Sequence, residues 1–200
     1  VRGHRWDYDH WSELGNEGWS YDEVLPYFIK AEHNEVHDNK YHGQNGPLNV
    51  CNIRHQPESC DAFVKAGSEL YNFTDDFNGE NQEGFGYYQV TQKSGLRHST
   101  KKAYLDPIKG RANLTIITGA HVTELLFDSE NTKKVTGVHC LYRGRQQQIL
   151  ATREVILSAG AIQSPQILEL SGVGNPDIVK AHGIPVRHAL KGVGENLSDH

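Results

Sequence analysis

The sequence predicts a mixed fold of the α+β to α/β kind, and three observations carry that prediction. A capped amphipathic helix pattern opens at Ser20. From Asn113 to Leu157, apolar runs recur at hairpin spacing, the pattern of a small antiparallel meander. The last of these runs, Val155-Ile156-Leu157, passes through four small residues into a second capped helix at Ser164.

Each element has a local reason. Ser20-Tyr21-Asp22-Glu23 is a capping box. Leu25, Phe28 and Ala31, with Val24 and Tyr27 beside them, give the following helix its apolar stripe, and it is expected to fade near His33. Pro26 should kink its second turn by removing a backbone donor. Tyr41 to Pro47 is turn-rich, and Leu48-Asn49-Val50 follows as a short strand. Ser59 is placed to cap a helix carrying Phe63, Val64, Gly67 and Leu70 on one face. Residues 72–86 read as loop, 87–92 as a strand, and 103–105 as a short helix ending before Pro107. Strands are expected over 114–117, 122–127, 135–142 and 148–157. Ser164-Pro165 supplies a cap and a first helical residue, and Gly172 a stop. Asn175-Pro176 and Gly183 repeat those signals.

Composition bounds the class. The chain has 200 residues, 36% hydrophobic, with 20 Lys+Arg against 25 Asp+Glu for a net charge of −5. Such a chain is a globular protein rather than a disordered one or a rod. Its mild acidity argues against a nucleic-acid partner, which would call for a basic stripe. No apolar run nears the roughly 18–20 residues that span a bilayer, and no basic-then-apolar leader opens the sequence. Three Cys make no metal pattern and no even disulfide framework. There is no Met, and the sequence opens Val1-Arg2-Gly3, which is expected of a piece of something longer.

Most catalytic motifs are missing. Twelve His invite a metal hypothesis, but His33 and His37 have Glu35 one place too late for a metalloprotease pattern and fall where the helix ends. No metal site is expected. There is no Gly-x-Ser-x-Gly elbow, no P-loop and no Gly-x-Gly-x-x-Gly. Gly84-Phe85-Gly86 and Gly192-Val193-Gly194 are near misses that read as turns. The exception is Glu154 to Gly174: apolar strand, Ser158-Ala159-Gly160-Ala161, capped helix, Ser-Gly-Val-Gly. Small residues there allow either close strand–helix packing or approach of a flat or charged ligand to bare backbone beside a helix N-terminus.

The run Gly160 to Gly174 resembles the second signature of the glucose–methanol–choline (GMC) oxidoreductases, FAD enzymes that oxidise alcohols. Val1-Arg2-Gly3 with Tyr8-Asp9 and Trp11 resembles the stretch after the family's first signature. Trp19 to Phe28, then His42 to Pro47, resemble its lid segment and the strand after it. Gly192 to His200 resembles its Gly-x-Asn-Leu-x-Asp-His block. The resemblance spans the chain in order and is strongest to choline-dehydrogenase-like and alcohol-dehydrogenase-like branches.

The resemblance implies an FAD-binding domain with part of a substrate domain. Residues 1–44 would form a lid and attachment segment, 45–92 part of the substrate domain, and 93–200 part of the FAD domain. It implies cofactor contacts at Val122, through its backbone, and at Ser158, Ala159, Gly160 and Ala161. The partner would be a small-molecule alcohol, oxidised by hydride transfer to flavin. The family's dinucleotide motif would lie upstream and its active-site His downstream, so no catalytic residue is assigned, and His200 is not the base. FAD is therefore expected in the parent enzyme and only weakly, or not at all, in the isolated chain, which is expected to be inactive and either marginally stable or self-associating. The implied location is cytoplasmic or peripheral to a membrane, with membrane association left open. Alternatives are a hydroxynitrile-lyase-like member that keeps FAD without using its redox chemistry, or a non-enzymatic His-rich binding module.

Overall fold

The computed structural model describes residues 1–131 and 133–198. They divide into two compact units, Val1–Leu114 and a second beginning at Thr115.

In the first unit, α1 (Arg5–Glu13) starts at His4, whose Nδ1 accepts from Trp6 N at 3.1 Å while Asp7 accepts from His4 N at 2.7 Å. Sequence reading missed this helix because His is not a usual cap. The second helix, α2 (Tyr21–Ala31), begins as the capping box requires, with Glu23 accepting from Ser20 N at 3.1 Å. Tyr21 and Val24 are buried, Leu25, Phe28 and Ala31 half-buried, and Tyr27 stays exposed. Tyr8 meets Phe28 edge-on at 5.8 Å, holding α1 to α2.

The helix stops before His33, because Glu32–Asn34 become β1, paired in parallel with β2 (Leu48–Val50). Gly46 makes this crossing feasible. Its N–H donates to Glu32 O at 2.8 Å, and a Cβ there would lie 2.3 Å from the carbonyl carbon of Ala31. Next comes α3 (Glu58–Ser68), which follows Pro57, so Ser59 is an early helical residue and not the cap. Two residues of its expected apolar face, Phe63 and Leu70, are exposed, while Gly67 is buried against the Phe85 ring.

The strand expected over 87–92 shrinks to a bridge between Val90 and Cys51 and to β3 (Gln92–Lys93). That short strand turns through Ser94 and Gly95, both at positive φ, into β4 (Leu96–Arg97). The helix expected to end before Pro107 instead continues: a π-helical turn over Lys101–Leu105 runs into a 3₁₀ turn over Asp106–Ile108. Pro107 falls in the first turn, where no backbone donor is needed.

The second unit is built on a three-stranded antiparallel sheet in the order β5 (Ala120–Phe127), β6 (Val135–Tyr142), β7 (Arg145–Leu150). The β6–β7 turn uses Arg143 and Gly144 at positive φ. Two expected stretches are not strands. Residues 114–117 lie beyond the Ala120–Tyr142 pair that ends the β5–β6 ladder, and after Ala151, which still donates to Thr136 O at 2.8 Å, residues 153–157 run past the start of β6, so neither stretch extends a ladder. The expectation that Val155-Ile156-Leu157 is buried on both faces is likewise overturned, with Ile156 79% exposed.

Beyond the sheet, α4 (Gln163–Leu170) packs on β5. A parallel pair follows, β8 (Val173–Gly174) with β9 (His188–Ala189), joined through α5 (Pro176–Ala181). Asn175 caps α5, accepting from Asp177 N at 3.1 Å. The core of this unit is Leu125, Cys140, Ile167, Val173 and Val179.

Candidate cofactor-binding site

The site is assembled from β5, α4 and the turn between β7 and α4. In β5 the register shifts between Val122, opposite Cys140, and Glu124, opposite His139, so Thr123 is an extra residue. Such a bulge re-aims side chains and bends the strand. Thr123 Oγ1 donates to His139 O at 3.3 Å, which anchors it.

Ser164 does not cap α4, as the sequence suggested. Gln163 is the first helical residue, and the preceding Ile162 is already in the right-handed helical region. Ser164 instead holds the small-residue turn: its Oγ accepts from Ala159 N at 3.0 Å and its N–H donates to Gly160 O at 3.0 Å. Gly160 sits at φ +96°, with nothing within 4 Å of where a Cβ would project. Its glycine is required by conformation, and its outer side is open. At the other end of α4, Ser171 Oγ accepts from Leu125 N at 2.8 Å and fixes the helix against β5.

Between them lies a cleft of about 320 Å³, walled by residues 120–123 of β5, by Ala159, and by Gln163, Gln166, Ile167 and Leu170 of α4. Two of the five residues assigned to the cofactor, Val122 and Ala159, thus line one cleft. Ser158 and Gly160 flank Ala159 and are exposed. Ala161 faces a separate hollow of about 390 Å³, shared with Pro165, Glu169 and residues 194, 195 and 197. Asp199 and His200, which close the Gly192 block, lie outside the described residues.

The donor set fits one part of a dinucleotide better than another. The lining of the β5–α4 cleft has amide, hydroxyl and imidazole groups and aliphatic side chains, but no Asp, Glu, Lys or Arg. That suits a flat, neutral base: apolar walls for its faces, side-chain amides and backbone for its edge. Nothing in it would neutralise a diphosphate. Sequence reading missed Gln163, Gln166 and Thr123. The two Gln stand three apart on a helix, a spacing that puts them on one face, but a helix carrying polar residues is too common to single out.

Among the described residues, no group of three or more His, Cys, Asp or Glu side chains is placed to hold a metal. His33 and His37 do not share a helix face, since His33 is in β1 and His37 Nε2 donates to Asp75 O at 3.1 Å. All three Cys are free, Cys51 and Cys140 buried and Cys60 exposed. No helix among the described residues is long and apolar enough to cross a membrane.

The second unit thus pairs an antiparallel sheet with a helix, leaving an uncharged cleft between them beside an open small-residue turn. Comparison with known proteins makes this specific: the family profile for GMC oxidoreductase matches residues 1–200, and the chain belongs to that enzyme family. The chain is 44% identical over its whole length to an oxygen-dependent choline dehydrogenase of Photobacterium profundum and 44% to an alcohol dehydrogenase [acceptor] of Pseudomonas putida. It is 45% identical to the mitochondrial choline dehydrogenase of Mus musculus. It covers 35%, 36% and 33% of those proteins, about a third of their length. Among solved structures, an FAD-dependent oxidoreductase from Chaetomium thermophilum superposes with a TM-score of 0.90 at 29% identity, over 100% of this chain and 37% of that one. Pyridoxine 4-oxidase from Mesorbium loti gives 0.86 at 28%, over 96% and 38%.

Proposed function

We propose that this chain supplies the adenine-facing part of the FAD site in an enzyme that oxidises a small-molecule alcohol. The observation that carries the reading is the meeting of Val122 and Ala159 in one uncharged cleft between β5 and α4. FAD would supply the hydride acceptor for the alcohol carbon. The chain's own residues bind and orient. Val122 offers backbone groups at the bulged end of β5, Gln163 and Gln166 offer amides, and Ile167 with Leu170 exclude water from the base. Ser158, Ala159, Gly160 and Ala161 keep the backbone bare where the cofactor passes, and Ser164 holds that turn in shape. The printed names of the relatives, choline and alcohol dehydrogenases, favour a CH–OH donor as substrate. In this reading residues 1–44 serve as lid and attachment, 45–92 belong to the substrate domain, and 93–200 to the FAD domain.

The uncharged lining also explains why the chain alone should hold FAD weakly, since most dinucleotide affinity comes from the diphosphate. The test is FAD titration of the ¹⁵N-labelled chain, followed by gel filtration. Amide shifts are expected at residues 120–123 and 158–161, in fast exchange, and the protein should elute without flavin. Flavin retained at one per chain would overturn the weak-binding part. Shifts confined to other residues would overturn the cleft itself.

A further inference from the structure

The first unit contains a buried ionic cluster unrelated to the cleft above. At its centre is His42, whose side chain is fully buried. Its Nδ1 lies 2.9 Å from Glu32 Oε2, and its Nε2 lies 3.0 Å from both carboxylate oxygens of Asp76. Glu32, in β1, also accepts from Arg2 Nη2 at 2.9 Å and from Gly43 N at 3.1 Å. Asp76 lies in a loop, where its carboxylate accepts one further bond, from Asn78 N at 3.0 Å, and its backbone carbonyl accepts from Gly79 N at 3.3 Å. Arg2 N donates to Asn78 Oδ1 at 2.7 Å. The other titratable group against His42 is His37, its ring 5.1 Å away, which pairs with Asp75 O. So the groups facing His42 are Glu32 from β1, Asp76 from the loop, Arg2 from the N-terminal segment through Glu32, and His37 from the turn after β1.

An imidazole with a carboxylate oxygen at hydrogen-bond distance from each ring nitrogen satisfies both only when both nitrogens carry protons. A neutral ring must turn a lone pair toward one carboxylate at 2.9–3.0 Å, with no water between. Asn34 provides the alternative arrangement. Its Oδ1 is fixed by the backbone amides of Val36 and His37, both at 3.0 Å, so its Nδ2 is held 3.0 Å from His42 Nδ1. One Nδ2 hydrogen goes to Gln89 Oε1 at 2.8 Å. The second can reach Glu32 Oε1 at 3.4 Å while Nδ1 is protonated, or Nδ1 itself once that proton leaves.

We propose that His42 is a protonation-dependent clasp between the β1–β2 pair and residues 75–79, closed while its ring carries both protons. When Nδ1 loses its proton and accepts from Asn34 instead, the Nε2–H bond to Asp76 survives without its charge, and this weakened side is the one that yields. Glu32 is retained by Arg2 and the Gly43 amide, whereas Asp76 is on a loop, its side chain 15% exposed, and can turn to water. Release of the loop loosens Asn78, which lines a cleft of about 220 Å³ with Arg2, Glu32 and Gln89. The direction of titration agrees. Burial disfavours the His42 imidazolium, but the hydrogen bond and charge of Glu32, with those of Asp76, outweigh it and raise the group above its ordinary value. Burial likewise opposes ionisation of Glu32, yet His42, Arg2 and the Gly43 amide hold its carboxyl below the usual range. The clasp is thus fully present below the ordinary His value of about 6.5 and is lost as pH rises through the raised one. At the acid end it lasts until the carboxylates protonate.

The test is imidazole ¹⁵N NMR of the His-labelled chain between pH 5.5 and 9, with amide hydrogen exchange over the same range. At pH 5.5 His42 should show two imidazolium-type nitrogens, and its midpoint should lie above the ordinary value of about 6.5. The opening constant of the Asp76, Asn78 and Gly79 amides should rise by up to about tenfold per pH unit through its titration. Asp76→Asn keeps an acceptor without the charge, so both the His42 midpoint and the exchange step should move to lower pH. His42→Gln should abolish the step, and if that variant fails to fold, Asp76→Asn decides alone. A His42 midpoint at or below the ordinary value of about 6.5, or a titration of His42 with no accompanying change at 76–79, would overturn the proposal.

Discussion

Ser171→Ala should cost the second unit about 1–3 kcal/mol, and the structure locates where. The strand β5 lies at the edge of its sheet, so on the side away from β6 its backbone donors have no strand partner. Ser171, 4% exposed, fills that role for Leu125, accepting its N–H at 2.8 Å. The same hydroxyl donates to Ile167 O at 2.5 Å, but that carbonyl also receives Ser171 N at 3.1 Å and stays paired in the variant. The loss therefore falls on Leu125 N–H, buried in a residue only 7% exposed and left with no acceptor. Native-state hydrogen exchange reads this directly. Protection of the Leu125 amide should drop about 5- to 150-fold, the equivalent of that free energy. Neighbouring β6 amides should fall by the global change alone. Ser158→Ala, at an exposed position, is the comparison and should stay within about 0.5 kcal/mol of the parent. Less than a twofold change at Leu125 would refute the claim that Ser171 is what holds α4 to β5.

Gly46→Ala should destabilise the first unit by about 3 kcal/mol, since the new methyl would meet the Ala31 carbonyl carbon at 2.3 Å and Glu32 N at 2.4 Å, both backbone. A lowered urea midpoint with the β1–β2 amides exchanging early is the expected readout, and an unchanged midpoint would count against the close crossing. Tyr87 donates to Asp61, and this hydrogen bond, then desolvation and the Asp61 charge, push the phenol up to about 12. Absorbance titration of the chain should accordingly show a phenol ionising near that pH, and Asp61→Asn should return it to an ordinary range; a titration identical in the two proteins would rule the pairing out.

What the sequence made legible was local. The Ser20 capping box, β2 at 48–50, β6 at 135–142 and the Asn175 cap each rest on residues that act within a few positions of themselves. Errors arose where a distant partner decides. Residues 153–157 have the apolar content of a strand, but β6 begins at Val135 and leaves them no ladder. The parallel pairs β1–β2 and β8–β9 are two or three residues long, too short for a periodicity to register. The β3–β4 and β6–β7 turns did carry a signal, Ser94-Gly95 and Arg143-Gly144, in which the glycine is explicit and its non-glycine partner at positive φ is not.

The candidate site was half legible, for a physical reason. Small residues after an apolar run announce bare backbone but not what approaches it. Packing and ligand both predict Ser158-Ala159-Gly160-Ala161. At Gly160 the space a Cβ would enter is open, and only the φ of +96° demands glycine. Ser158 and Ala161 are exposed as well, so crowding by α4 does not account for their size. A bare, outward-facing turn pinned by Ser164 beside an uncharged cleft is the geometry on which the proposed cofactor approach rests. Ser164 itself shows how a correct motif can be assigned the wrong task. Ser-Pro before an apolar stripe reads as a cap, yet Gln163 already lies within the helix and frees the hydroxyl to fix Ala159. The buried cluster around His42 lay beyond sequence reading altogether, since Arg2, Glu32, His42 and Asp76 are brought together only by the β1–β2 crossing and the fold of the loop. Its charges are far apart along the chain and nearly balanced in space, so neither net charge nor motif betrays them.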